Sequence, residues 1–510
     1  MPQAARRAAD METPFYYRIC DRLTEAVIYF MVIFSPWAFG STQPWAVAVM
    51  NCAGGVLGLL LVGKWVIRWR SGYRPARWWD SAVVDDSGRK RRRSGTRAAG
   101  IITVGMAVMT VLIVGYCLAS ALNSAATYDE ETQLFSHRKA IRWLPHSFSR
   151  GDSWVSFWGA LGLACMFWAV RDWLLAKSAR ELEEELDDSG RFVKRRGGEV
   201  PERLRHLLWV LSINGVLLGV EAIAQRMDGG GKLLWLREPA INKTAEAQFG
   251  PYAYRSNAAQ YFNLLWPVCL GFWLTLQRTG QYLTRRPGHL GVGAHHLLLF
   301  AAGVMAICPL VALSRACAVV SAGMMALCLL VILVLEWRSG WGVKVAVSLA
   351  FLGVLYVGLD IGIFDLQKRL GNLNVDYRVR EEICQKSWPI AHEHPWFGTG
   401  PGTFATIYQL YLTSSTDIWF AQVHNDWLET LVTFGRVGSG ILAVGLLLVL
   451  IRGLFQRGIR LGVGFHLFYW IAFLGLAVEA RFDFPLQVYS ILFLFVLLGS
   501  VLTCVTRRSS

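Results

Sequence analysis

Charged residues are scarce in this chain of 510 residues. They make up 17% of the sequence, against 54% apolar residues, whereas a soluble domain carries about 25% charge. The ten cysteines form no CxxC pair and mostly lie within apolar runs, which argues against a zinc site, a redox dithiol and a disulfide scaffold. The polar start, up to Asp21, lacks the small-residue cleavage site of a removable signal peptide. These deficits exclude a soluble enzyme and a disordered chain.

Apolar residues instead fall in blocks of about twenty, the length that a helix needs to cross a bilayer core of about 30 Å. Such blocks predict an all-α polytopic membrane protein of about twelve transmembrane helices. The predicted spans lie near residues 23–39, 44–66, 99–121, 153–170, 206–224, 258–277, 294–313, 316–336, 343–360, 433–451, 463–480 and 485–504. An even number of spans places both termini on one side of the membrane.

Basic residues are unevenly distributed between the predicted loops. With a cytoplasmic N-terminus, the inner segments hold 32 Lys and Arg in 129 residues, and the outer loops 123–152, 225–257 and 361–423 hold 14 in 126. Positive residues favour the cytoplasmic side, so this bias predicts cytoplasmic termini. The basic run Arg89–Arg93 then acts as a topology anchor, and the net charge of +15 requires no nucleic-acid partner. The outer loops still keep more cations than topology requires.

The predicted outer loop 361–423, which precedes span ten, is much the longest. Loops of this length are usually functional or disordered. This one is rich in Trp, Tyr and His with several Gly-Pro turns, so we expect it to be folded. The chemistry is therefore predicted in this loop, on the face away from the cytoplasm.

Four polar strings in the C-terminal half could carry chemistry. They are Phe249-Gly250-Pro251-Tyr252 with Arg255 and Asn257, Leu313-Ser314-Arg315, the stretch from Asp376 to Phe404 with Arg378, Arg380, Gly398, Gly400 and Gly402, and His424-Asn425-Asp426-Trp427-Leu428-Glu429. An arginine in a short hairpin between two spans is costly unless it is paired or faces water. Arg315 is therefore a functional candidate.

Each string also has a structural interpretation. The glycines of 398–402 fit a tight turn, since no strand-turn-helix unit of a dinucleotide site surrounds them. Arg378 and Arg380 can be loop charges balanced by neighbouring glutamates. His392, His394 and His424 can be hydrogen-bonded structural residues, and their pattern is weak evidence for a metal site.

Taken together, the strings resemble the signature of the O-antigen ligase and polymerase family. The elements that carry the resemblance are the Ser314-Arg315 hairpin, the Gly-aromatic-Asn segment 249–257, Arg380 fourteen residues before His394-Pro395, the Gly-rich turn 398–402, and His424 to Leu428 followed by Gly435 and Gly438. Two departures stand out. Cys384 occupies a position that is often apolar or aromatic in the family, and Arg378 is a second loop arginine, which leaves the exact phosphate ligand open.

The resemblance divides the chain into an N-terminal transmembrane bundle with basic cytoplasmic loops (1–205), an O-antigen ligase-like membrane domain (206–504) and a cytoplasmic tail (505–510). It implies a GT-C-like membrane glycosyltransferase in the bacterial inner membrane, with its site facing the periplasm. Such an enzyme passes a glycan from an undecaprenyl-diphosphate carrier to an acceptor hydroxyl, without metal or other cofactor. Its partners would be the carrier-linked donor and a glycan or lipid A-core acceptor.

The residue chemistry fits that activity. Guanidinium groups bind phosphate oxygens in a bidentate manner, which makes Arg315 and Arg380 the candidate diphosphate ligands and Arg378 and Arg255 the second choices. An acceptor hydroxyl needs a base near neutral pH, for which histidine is suited, and His424 is the candidate. Supporting roles are predicted for Ser314, Asn425, Asp426, Glu429, Gly398, Gly400 and Gly402, with Asp426 or Glu429 orienting the imidazole.

Several functions remain open at this level. Ligation to a lipid A core, polymerisation of repeat units and transfer to protein hydroxyls would all use the same arrangement. A flippase for a lipid-linked sugar is the alternative of another class, and it predicts inverted repeats. The long outer loop occurs only in the C-terminal half, which favours the transferase.

Overall fold

The computed structural model describes residues 13–78, 96–129, 131–132, 134–183, 200–284, 293–335, 341–370, 373–412, 419–454 and 459–507. Within these ranges the chain is mostly helical, as predicted. The basic run Arg89–Arg93 lies outside the described residues.

Thirteen long helices are described in chain order. They are α1 (Phe15–Trp37), α2 (Pro44–Ser71), α3 (Thr96–Leu122), α4 (Arg150–Leu175), α5 (Glu202–Asp228), α6 (Arg255–Thr284), α7 (Leu297–Val311), α8 (Arg315–Leu335), α9 (Trp341–Leu370), α10 (Leu373–Glu393), α11 (Asp426–Leu454), α12 (Val463–Phe482) and α13 (Tyr489–Cys504). Shorter helical turns are Phe39–Ser41, Ala179–Glu183, Ala294–His296, Phe404–Ile407, Tyr408–Tyr411 and Pro485–Gln487.

Two small sheets qualify the all-α expectation. Strands β1 (Ala126–Asp129) and β2 (Leu134–His137) form an antiparallel hairpin between α3 and α4. Strands β3 (Ile459–Leu461) and β4 (Val505–Arg507) pair in parallel and join the start of α12 to the end of α13.

Each of the twelve predicted spans coincides with a helix. Among the described residues, eight helices are long and apolar enough to cross a membrane: α2, α3 from Ala99, α4, α5, α7 with its preceding turn, α8, α11 and α12. The apolar helices Trp341–Val354 and α13 are shorter. The chain is therefore a multi-pass membrane protein, and the total of twelve spans stays a prediction.

Helix α6 lies at the centre of the fold, packed against α7 and α12. Every residue from 256 to 275 is buried. This explains why α6 contains polar side chains such as Gln260 and Asn263, because a helix surrounded by protein does not need a lipid-facing apolar surface. Asn263 Nδ2 donates hydrogen bonds to Glu479 Oε1 (2.7 Å) and to the Cys317 carbonyl (3.0 Å).

The N-terminal helices are tied together by buried ion pairs at the C-terminal ends of α2 and α4. Lys64 is fully buried and lies 3.3 Å from Asp21 and 3.4 Å from Asp172. Arg68 and Arg77 each lie 2.7 Å from Asp172, and Arg203 lies 2.6 Å from Asp21. Charges at this depth are tolerated because each has an opposite partner.

The region predicted as an outer loop at 361–423 is in large part helical. Helix α9 continues to Leu370, and α10 follows at once. Hydropathy does not reveal α10, because only one of its faces is apolar. That face carries Ile383 and Ile390, which pack in a small core with Phe404 and Leu428. The loop is thus folded, as expected, around its own core.

Candidate active site

Helix α11 is broken at Gly435, whose φ of 59° lies in the left-handed region. A side chain there would lie 2.5 Å from backbone atoms of Trp396, so only glycine fits. The break removes helical hydrogen bonds, and segment 395–400 replaces them. It accepts from two amides after the break and donates to two carbonyls before it, at 2.9–3.0 Å. The Tyr116 hydroxyl adds a hydrogen bond to the Phe434 carbonyl (2.8 Å).

The Gly-rich turn 398–402 therefore packs against the broken helix. Gly398, Gly400 and Gly402 all have positive φ, at 64°, 111° and 77°. A side chain at Gly400 would collide with Ser147 in the loop between α3 and α4. The turn is thus a point of close backbone contact that holds α11 in place on both sides of its break.

His424 lies just before α11 in a left-handed conformation (φ 58°), which is uncommon for a residue other than glycine. Its Nδ1 lies 2.9 Å from Asp483 Oδ1, and its ring packs edge-on against Phe484 at 4.9 Å. An ionised carboxylate only accepts hydrogen bonds, so Nδ1 is the donor in this pair, and in the neutral ring the lone pair is on Nε2. The side chain is 23% exposed, which leaves it accessible to a substrate.

Asp483 joins His424 to Arg380 and Tyr254. The Tyr254 hydroxyl donates to Asp483 Oδ2 (3.4 Å) and accepts a hydrogen bond from Arg380 Nη2 (2.8 Å). Arg380 Nη2 also lies 4.0 Å from Asp483 Oδ2. Burial raises the pKa of Tyr254, so its hydroxyl stays protonated and available as a donor. One buried carboxylate thus holds an imidazole on one oxygen and a tyrosine and a guanidinium on the other.

Arg380 is positioned by the hairpin between α12 and α13. Its Nη1 donates to the Phe482 carbonyl (3.0 Å), next to Asp483. The side chain is one-third exposed, so the guanidinium lies against Asp483 on one side and is accessible to solvent on the other. A phosphate could approach it from that side.

Asp483, and not Asp426 or Glu429, holds the His424 imidazole. Asp426 accepts hydrogen bonds from the Leu486 amide (2.8 Å) and Gln487 Nε2 (3.2 Å). Glu429 accepts from the Val423 amide (2.9 Å). Both acids therefore anchor backbone around the histidine. The prediction that one of them orients the ring is wrong, because the start of α11 directs them towards the hairpin 485–487 and the preceding loop.

Asn425 caps α11, since its Oδ1 accepts a hydrogen bond from the Leu428 amide (3.3 Å). Ser314 makes a contact between two of the predicted strings. Its Oγ lies 3.0 Å from Ser256 Oγ, two residues after Tyr254. The hairpin that carries Arg315, the first residue of α8, is thereby joined to the segment of Tyr254, which contacts Asp483.

The second-choice arginines lie elsewhere. Arg255 Nη1 donates to the Glu246 carbonyl (2.7 Å), in the loop before α6. Arg378 is exposed on α10, two residues before Arg380. Residues two apart on a helix do not face the same side, so Arg378 and Arg380 project differently.

A large, mostly apolar cavity of about 1630 Å³ opens beside His424. It lies between α3, α4, α11, α12 and α13, and Tyr254 and Gln422 line the same end as the histidine. Along α11 it extends from Trp427 to Leu450, about 35 Å of helix at 1.5 Å per residue. That length is enough to cross a bilayer core of about 30 Å.

Residues 300–443 match the family model described as O-antigen ligase. The match begins in α7, includes Arg315, Arg380 and His424, and ends within α11 beyond the break at Gly435. This part of the chain is therefore similar to O-antigen ligases. The resemblance inferred from the sequence is thereby confirmed. No curated protein matches the chain.

The O-antigen ligase match supports a ligase- or polymerase-like role in O-antigen biosynthesis, with a lipid-linked glycan and an acceptor as substrates. Tyr254 and Asp483 lie outside the matched residues and were missed in the sequence analysis. Asp483 had a detectable signal, because it is an acid in a short hairpin between two apolar helices, where a charge is costly. Tyr254 lies two residues after Tyr252, within the segment 249–257.

His392 and His394 are separate from the cluster around Asp483. His392 lies beside Trp388 at 6.1 Å between ring centres, and His394 packs against Phe148 at 4.9 Å. Burial lowers the pKa of His394, which favours the neutral ring. Their contacts fit the structural interpretation of these two histidines.

Proposed function

We propose that this O-antigen ligase-like protein transfers a glycan from an undecaprenyl-diphosphate carrier to an acceptor hydroxyl. It would act as a GT-C-like enzyme of the bacterial inner membrane, with the site facing the periplasm. The supporting observation is the position of the His424–Asp483 pair and Arg380 at one end of an apolar cavity that is long enough to cross a bilayer core.

His424 would act as the general base. With Nδ1 donating to Asp483, Nε2 is the atom that can take the proton of an acceptor hydroxyl. The imidazolium that forms would be stabilised by the same carboxylate. Asp483 is then a positioning residue that holds the tautomer and the orientation of the ring, and the left-handed backbone at His424 is a strain typical of functional sites.

Arg380 and Arg315 would bind the diphosphate. The cluster keeps Arg380 on the opposite oxygen of Asp483 from the imidazole, so the negative leaving group and the acceptor proton would be received at neighbouring positions. Arg380 is favoured over Arg378 because it lies against Asp483, whereas Arg378 is exposed and projects differently from the same helix.

The reaction would be a single displacement. The acceptor oxygen forms a bond to the anomeric carbon as the bond from that carbon to the phosphate oxygen breaks, and the diphosphate leaves with the bonding electron pair. The acceptor proton passes to His424 Nε2. Attack opposite the leaving group would invert the anomeric centre. The apolar cavity beside His424 would hold the hydrocarbon chain of the carrier.

The test in cells is deletion of the gene, followed by gel analysis of the surface polysaccharide. Loss of all lipid A-linked glycan with accumulation of carrier-linked polymer would indicate a ligase. Loss of long chains with single repeats retained would indicate a polymerase. Unchanged polysaccharide would refute the proposed function.

A further inference from the structure

The segment 137–150, between β2 and α4, is rich in cations. Its basic residues are Arg138, Lys139, Arg142 and Arg150, and it contains no acid. All four side chains are exposed. In the described ranges, none of them forms an ion pair within 4.0 Å. The positive-inside rule disfavours such a cluster on a predicted outer loop, so these cations call for an explanation other than topology.

The segment is held firmly at the ends of α3 and α4. Asn123 Nδ2 donates to the carbonyls of Ile141 (2.8 Å) and Pro145 (3.1 Å), and its Oδ1 accepts from the Ile141 amide (2.8 Å). Ile141 and Trp143 are 48% and 75% exposed among the cations. Exposed tryptophan beside basic residues at helix ends is typical of a membrane–water interface.

The described acids of the β1–β2 hairpin, Asp129 and Glu131, form no ion pair within 4.0 Å with these cations. Asp129 and Glu131 lie at the turn of the β1–β2 hairpin, whereas the basic residues follow its base, where Ala126 pairs with His137. Three residue steps of strand, from Asp129 to Ala126, separate the turn from the base by about 10 Å. This exceeds the screening length of about 8 Å at physiological salt.

The basic segment lies at the same end of the molecule as the candidate active site. The Phe148 amide donates to the Thr399 carbonyl (2.9 Å), and Ser153 Oγ donates to the Pro401 carbonyl (3.1 Å). Both acceptors belong to the Gly-rich turn that packs on the broken helix. One turn further along α4, Val155 and Gly159 line the cavity. The basic segment is therefore joined to the Gly-rich turn, and it leads into the helix α4 whose next turns line the cavity.

We propose that segment 137–150 binds phosphate groups on the sugars of a membrane-embedded acceptor glycolipid. This rests on the proposed function, in which Arg380 and Arg315 already serve the diphosphate of the donor. A second set of cations, joined to the Gly-rich turn beside the same cavity, suits a second phosphorylated substrate. General attraction to phospholipid would not require the rigid connection from Phe148 to the Gly-rich turn, and several cations in one short segment suit a headgroup with several phosphates.

The test compares two double variants of the full-length protein. Arg138→Gln/Arg142→Gln neutralises the segment, and Lys232→Gln/Lys243→Gln removes the same charge from exposed positions on the neighbouring outer loop. The probes are a lipid A-core glycolipid and the same glycolipid after phosphatase has removed its phosphate monoesters. Binding is measured in detergent micelles, and KM for each probe is measured with a carrier-linked glycan donor.

We expect the Arg138/Arg142 variant to bind the phosphorylated probe about 25-fold more weakly, since each cation near a lipid surface contributes about a fivefold effect. KM for that probe should rise by the same factor, with kcat and the donor KM unchanged. The dephosphorylated probe should bind the wild type and the variant alike. The lysine variant should behave as the wild type.

Equal binding of the phosphorylated probe by the wild type and the Arg138/Arg142 variant would overturn the proposal. So would a variant that loses affinity only for vesicles of equal parts phosphatidylethanolamine and phosphatidylglycerol, since that result indicates bulk-lipid anchoring. If the wild type binds the phosphorylated probe through these arginines but transfers no glycan to it, the proposed function fails while the binding site stands.

Discussion

Replacing Asp483 by asparagine tests the proposed mechanism most directly. The substitution keeps the size of the side chain but removes its charge and one acceptor oxygen. In the structure, Oδ1 accepts from His424 Nδ1 (2.9 Å) and the Phe484 amide (3.2 Å), while Oδ2 faces the Tyr254 hydroxyl and Arg380. An amide cannot serve both sides, because one oxygen becomes an NH₂ group.

Either orientation of the amide impairs the site. If NH₂ faces His424, it donates to Nδ1, the proton moves to Nε2, and the base is lost. If NH₂ faces Arg380, the imidazolium formed in the reaction loses its charged acceptor. A hydrogen bond to a charged group contributes about 1.5–3 kcal/mol. At about 1.4 kcal/mol per tenfold rate, turnover of Asp483→Asn should fall about 10- to 150-fold.

The measurement is kcat and the donor KM of the purified enzyme with a carrier-linked glycan and its acceptor. We expect the loss in kcat, with thermal unfolding of the variant close to that of the wild type. Glu382→Gln is the matched control, because Glu382 pairs with Lys386 (2.7 Å) on α10 rather than with the cluster. Wild-type turnover in Asp483→Asn, or a defect confined to the donor KM, would refute the assignment of Asp483 as the positioning residue.

Three further predictions follow from the same geometry. His424→Ala should lower turnover about 10²- to 10⁴-fold, the usual range for a lost general base, with donor binding retained; full activity would disprove the base assignment. Arg380→Ala and Arg315→Ala should each abolish activity, and Arg380→Lys and Arg315→Lys should restore little of it, because a point charge lacks the bidentate fork. Near-normal activity of the lysine variants would mean that the charges act only as a diffuse field. Activity of the wild type should persist in EDTA. A cysteine at Ser136 should react with an impermeant reagent from outside and one at Ser71 should not, above the background of the native cysteines; the reverse pattern would overturn the predicted orientation.

Long-range packing decided the identity of the residue that holds the histidine. His424 and Asp483 are 59 residues apart, and Tyr254 and Asp483 are 229 apart. No local pattern relates such positions. The pairing exists because the α12–α13 hairpin and the segment before α6 meet the start of α11. Asp426 and Glu429 were plausible from their closeness in sequence, but helix geometry directs them to backbone amides.

The sequence alone determined the positions of the apolar helices and the resemblance to the O-antigen ligase family, because apolar blocks and short motifs such as Ser314-Arg315 and the 398–402 turn are local features. It could not show that α10 is helical, since only burial against Phe404 and Leu428 identifies its apolar face. Tertiary structure alone decided that α11 breaks at Gly435, because the break depends on hydrogen bonds from segment 395–400. A hydropathy pattern records which residues can enter a membrane, whereas contacts between distant helices decide which polar groups meet there.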